Sequence, residues 1–179
     1  MPLKQKESAL KKCLDTAIES GVIPQYTSHD KCVALGMDPS IYGNSRPDWL
    51  WLLPDRFIVL ECDENQHAGA AYSCERRREL QICNCANGMP VHFIRFNPDH
   101  FKTGSKTSRV KVASDTVANR HAAVVAAIKN AVDRAAPTGL TFQKMFFDCD
   151  CVGDGGNHAC NFVHTSYYVD HEAFLMSFQ

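Results

Sequence analysis

No stretch of this 179-residue chain is apolar for the roughly 18 residues that a membrane span requires, so no bilayer-embedded helix is expected. An apolar signal core is missing too. Met1-Pro2-Leu3-Lys4-Gln5-Lys6 leads straight into an amphipathic segment, and the expectation is an intracellular protein of nucleus or cytoplasm. There is no internal repeat and no low-complexity tract, which argues against solenoids and disordered spacers. An excess of one charge is absent as well. Nineteen Lys and Arg against twenty Asp and Glu leave a net charge of −1, so only local clusters can argue for a polyanionic partner. Cysteine, by contrast, is abundant: nine residues, an odd number with no secretory signal, favour reduced thiols over a disulfide framework. Length and a 45% hydrophobic content fit one globular domain with a real core.

Apolar periodicity lays out the elements. Ala9, Cys13 and Ala17 with Leu10, Leu14 and Ile18 form a stripe that predicts a helix from Glu7 to Ser20, stopped by Gly21. The loop-like stretch 22–47 holds one strand candidate, Lys31–Leu35. Trp49–Leu53 and Phe57–Cys62 then flank Pro54-Asp55-Arg56 and read as a β-hairpin. A helix over 73–87 closes at Gly88 and Pro90, and a strand follows over 91–96. Next come a basic loop at 102–111 and a helix over 116–135, which presents Val117, His121, Val124, Ile128 and Ala131 on one face. Leu140–Phe147 is the last strand candidate. A mixed sheet flanked by helices, α/β or α+β in class, is the expected architecture. Residues 1–147 would form the core and 148–179 a Cys/His-rich C-terminal tail packed on it.

The hairpin carries an unusual load of acids. Asp48 opens its first strand, and Glu61 and Asp63 close its second, on one sheet face because side chains alternate with period two. Pairing around a short turn brings Asp48 to the same end, with His67 just beyond. Repelling carboxylates beside runs such as Trp49-Leu50-Trp51-Leu52 are costly unless a cation neutralises them. Hard oxygen donors favour Mg²⁺ or Mn²⁺ over softer metals.

Pro47-Asp48, a strand, then Glu61-x-Asp63 at the end of the next resembles the signature of the PD-(D/E)xK nuclease superfamily, with Asp63 in the place of the usual lysine. More narrowly, 46–96 is similar to the very-short-patch repair endonucleases and the EDxHD homing endonucleases. There a histidine six residues after the strand acid replaces the lysine, as His67 does after Glu61. Glu75–Gln81 and Gly88-x-Pro90-Val91-x-Phe93-Ile94 match that family's helix, turn and strand. The resemblance covers under a third of the chain. It implies a restriction-endonuclease-like fold and a divalent-metal-dependent endonuclease acting on double-stranded DNA, most simply a homing enzyme. A nicking mismatch-repair enzyme and a catalytically silent DNA- or zinc-binding module are the alternatives. Asp48 and Glu61 would hold the metal and Asp63 complete its shell. Gln66 would position water, His67 accept its proton, and Glu19 stand for the family's acid on the first helix.

DNA contact also needs cations placed against phosphates. Arg76, Arg77 and Arg78 on the helix after the acids are one candidate set. Lys102, Lys106, Arg109 and Lys111 in the acid-free loop are the other, and a homodimer on DNA is compatible with either. In the tail, Cys149, Cys151, His158 and Cys160 offer four soft ligands suited to a tetrahedral zinc. Cys83 and Cys85 are expected in the core.

Overall fold

The computed structural model describes residues 5–31, 46–64, 71–101, 116–134, 139–147 and 163–168, with 173 and 176 singly; for 71–76 and 164 it describes the backbone alone. In chain order these form α1 (Gln5–Glu19), β1 (Ser28–His29), β2 (Trp49–Leu53), β3 (Arg56–Cys62), α2 (Ala71–Cys85), β4 (Val91–Phe96), α3 (Val117–Asp133), β5 (Leu140–Met145) and β6 (Val163–Tyr168). All six strands belong to one mixed sheet whose spatial order is the chain order. β1, β2 and β3 pair antiparallel, β3, β4 and β5 parallel, and β6 returns antiparallel to β5.

Alternation along the strands assigns the two faces. Trp49, Trp51, Ile58, Leu60, Ile94 and Phe96 pack under α1 and α3, against Leu10, Leu14, Val124 and Ile128. Leu50, Phe57, Val59, Val91 and Phe93 face the other way, against Ile82, Cys83 and Ala86 of α2. Both faces are covered, which is why β3 is buried along its whole length. Each large side chain so buried contributes about 1.5–3 kcal/mol.

Local chemistry sets the ends. In α1 the buried positions are Glu7, Leu10, Leu14 and Ala17, a stripe turned away from the expected Ala9 and Cys13. Gly21, at φ 70°, ends it as a Schellman turn, in which the Gly21 N–H donates to Ile18 O and the Val22 N–H to Ala17 O, each at 2.9 Å. Thr116 caps α3 by accepting from the Asn119 N–H, and Val117, expected on the buried face, is exposed. Pro54 and Asp55 alone make the hairpin turn, because Arg56 already pairs with Leu53. β1 forms at Ser28–His29; residues 32–35 of the expected strand lie outside the described residues. β6 was not anticipated. It lies within the segment expected to be a tail and extends the sheet.

Candidate active site

The acids meet at the C-terminal end of β3, on the α2 side. Asp48 lies one residue before β2 and its Oδ2 accepts from the Cys62 N–H at 2.7 Å, which continues the hairpin ladder and fixes the carboxylate beside β3. Glu61 is 4% exposed and Asp63 1%. Burial, reinforced by the charge of Asp48, raises the Glu61 carboxyl well above its usual range, against an opposing pull from Arg78. Asp48 and Asp63 both lie near enough to Glu61 for their charges to raise it.

Two cations that the acid motif does not announce complete the cluster. Arg78 Nη2 donates to Glu61 Oε2 at 2.6 Å. Arg95 on β4 is 5% exposed; its Nε donates to Asp63 Oδ2 at 2.6 Å and its Nη1 to Glu79 Oε1 at 2.9 Å. Burial also raises the Glu79 carboxyl, though Arg95 opposes it. Burial works against the charge of Arg95, but the Asp63 hydrogen bond and the surrounding acids outweigh it and hold the guanidinium charged. Register explains the convergence: Glu61 is level with Arg95, and Arg95 with Lys144, so one row of charged residues crosses β3, β4 and β5. On sequence alone Arg95 belongs to an apolar strand, and its placement between carboxylates follows only from register.

On α1, which packs against the opposite face of the sheet, the buried acid is Glu7. It is buried, its Oε1 lies 3.6 Å from His29 Nε2, and its charge reaches Cys62. Glu19, the expected counterpart, is exposed in the last residue of α1, about 18 Å further along the axis at 1.5 Å per residue. The burial stripe is the signal that separates the two, since Glu7 falls three residues before Leu10.

Of the three expected phosphate-binding arginines, Arg77 is exposed, Arg78 is turned onto Glu61, and the Arg76 side chain lies outside the described residues. Gln66, His67, Lys102, Lys106, Arg109, Lys111, Cys149, Cys151, His158 and Cys160 lie outside them as well. Cys13, Cys62 and Cys83 are free thiols, and Cys83 and Cys85 lie in the core as expected.

Among the described residues no group of three His, Cys, Asp or Glu side chains is arranged to hold a metal ion. The donor chemistry of Asp48 and Glu61 nevertheless suits a hard divalent cation. Both are carboxylates, each has one oxygen held by an N–H donor, and such bonds orient a metal-binding carboxylate. Among the described residues no helix is long and apolar enough to cross a membrane. No protein-family model, no curated protein and no solved structure matches this chain.

Proposed function

We propose that the chain is a divalent-metal-dependent endodeoxyribonuclease of the PD-(D/E)xK type on a restriction-endonuclease-like fold, with double-stranded DNA as substrate. The observation that carries this reading is Glu61, a buried carboxyl raised by burial and by Asp48 at the mouth of a mixed sheet. A carboxylate so placed is costly to ionise without a cation. Asp48 and Glu61 would hold Mg²⁺ or Mn²⁺, and the ion, when bound, supplies Lewis-acid stabilisation of charge on a phosphoryl oxygen.

The chain's own residues do the rest. The Cys62 N–H and Arg78 orient the two carboxylates. Arg95 locks Asp63 and Glu79 behind them, which keeps the wall of the site rigid. Arg78 is half-buried on Glu61, and it is placed to turn to a phosphate when a metal takes its carboxylate. His67, six residues after Glu61, accepts the proton of the attacking water, and Gln66 orients that water. The resemblance to the EDxHD branch supports a homing endonuclease as the finer assignment.

The test is plasmid cleavage with Mg²⁺ or with EDTA. Wild-type protein should nick or linearise DNA only with the metal, and Asp48→Ala should abolish cleavage while circular dichroism shows the fold retained. Cleavage by Asp48→Ala at the wild-type rate would overturn the assignment.

A further inference from the structure

A second site lies on the other face of the sheet, at the opposite end of β3. Arg56 opens that strand and Glu61 nears its close, about 17 Å apart at 3.3 Å per residue. Here the C-terminal half of α3 passes over β4, β5 and β6, leaving a cleft of about 250 Å³. Its strand walls break the pattern of their face. Toward one end this face is apolar, with Leu60, Ile94, Phe96, Met145 and Val163, whereas at the cleft it carries Arg56, His92, Thr141, Gln143, Thr165 and Tyr167. Polar side chains where the layer calls for apolar ones mark a local conflict with the fold, and such conflicts concentrate at functional sites.

The polar atoms are built in rather than scattered on the surface. Thr141 is 1% exposed, and its Oγ1 is buried with no hydrogen-bond partner among the described residues. His92 Nε2 lies 3.3 Å from Gln143 Oε1, a contact that requires the proton on Nε2 and leaves Nδ1 as an acceptor. Burial keeps that imidazole below its ordinary range, hence neutral at pH 7. Gln143 in turn keeps its amide nitrogen as a donor. Arg56 forms the back wall, held by bonds to Asp55, to Ala131 O at 3.1 Å and to Arg134 O.

Three features define the occupant. Among the described lining residues the charged ones are Arg56, already paired with Asp55, and Arg134, and this balance favours an anion. Thr141 and Gln143 on β5, His92 on β4 and Asn130 on the facing α3 together offer both donors and acceptors, the mix that a heterocycle edge requires. Ala127 and Ala131 line it with small side chains, and Tyr167, 68% exposed, supplies an aromatic ring on which a base can stack. The volume exceeds an inorganic ion and falls short of a peptide or oligosaccharide. We propose that this cleft binds a nucleoside monophosphate, with the base edge on Thr141, Gln143 and Asn130, the ring on Tyr167, and the phosphate at Arg134.

Calorimetric titration of the full chain in EDTA tests this, since no metal is then present to recruit nucleotides to the acidic site. The probes are the four nucleoside 5′-monophosphates, their nucleosides and inorganic phosphate. At least one monophosphate should saturate below about 1 mM. Tyr167→Ala and Thr141→Val should each weaken it about tenfold, the loss expected of one stack or one hydrogen bond. Arg134→Ala should reduce the monophosphate to the affinity of its nucleoside. Tyr167 and Arg134 are exposed, so those variants keep the fold even where Thr141→Val does not. The proposal is overturned if no monophosphate saturates, if inorganic phosphate binds as tightly as the monophosphates, or if Tyr167→Ala and Arg134→Ala both leave affinity unchanged.

Discussion

Replacing Arg95 by Met removes the one guanidinium that bridges Asp63 and Glu79 while keeping the bulk of its stem in the sheet. Asp63 is 1% exposed and the Glu79 side chain 12%, so neither carboxylate can recover its lost partner by turning fully to water. Deleting one member of a buried pair costs about 3–5 kcal/mol, because the remaining charge stays desolvated. For a chain of this length that is roughly 6–20 °C in the unfolding midpoint. The sign of the pH dependence follows from Glu79, whose carboxyl burial already raises and Arg95 pulls back down. Without Arg95 the folded-state value climbs further above the unfolded one. A raised group favours folding at low pH and loses that contribution as pH rises through its folded value. The deficit of Arg95→Met should therefore be largest near pH 8 and shrink near pH 5. Urea denaturation followed by circular dichroism in EDTA measures both, and adding Asp63→Asn to the variant should return part of the loss near pH 8. A deficit under about 1 kcal/mol, the worth of an exposed pair, would refute the reasoning. So would an equal deficit at both pH values.

His67→Ala should leave DNA binding in place and slow plasmid cleavage about 10²–10⁴-fold, the range for losing a positioned proton acceptor; full activity would move the proton to solvent or to Asp63. Replacing Lys106, Arg109 and Lys111 together by Ala should weaken specific and random DNA alike and flatten the salt slope of binding by up to about three counterions. An unchanged slope would place that loop away from the phosphates. Elemental analysis of purified protein should find about one zinc per chain if Cys149, Cys151, His158 and Cys160 form a site, and its removal should lower the melting temperature. Zinc-free protein of undiminished stability would rule that site out.

The acids were legible because a hairpin is a local object. Two apolar runs joined by a short turn bring the start of one strand to the end of the other. Asp48 therefore falls near Glu61 and Asp63 on sequence grounds alone, while the exact register rests on Arg56 pairing with Leu53. Arg95 was not legible in the same way. Its partners come from a parallel neighbour and from α2, and parallel register is set by a crossover rather than a turn. Glu19 enters only as the counterpart that the resemblance implies for the first-helix acid; the stripe through Leu10, Leu14 and Ala17 instead buries Glu7 and leaves Glu19 exposed. β6 was hidden for a compositional reason. Val163–Tyr168 follows a glycine- and cysteine-rich stretch, and His, Thr and Ser break its apolar run.

A sheet whose spatial order repeats its chain order can be assembled as the chain is synthesised, since every strand after the first lies beside its predecessor. The β2–β3 hairpin needs only its own turn to close, on a scale of about 1–10 μs. β4 and β5 then add to an edge already in place. The helices do not share this convenience. Leu10, Leu14 and Ala17 of α1 belong to the same core as Val124, Ala127 and Ile128 of α3, which emerge about a hundred residues later. At about 5–20 residues per second that is a delay of roughly 5–20 s. During it the α1 stripe and the sheet face of Trp49 and Trp51 both lack the cover of α3, so this layer is where a ribosome-bound chain is most exposed to chaperones and to aggregation.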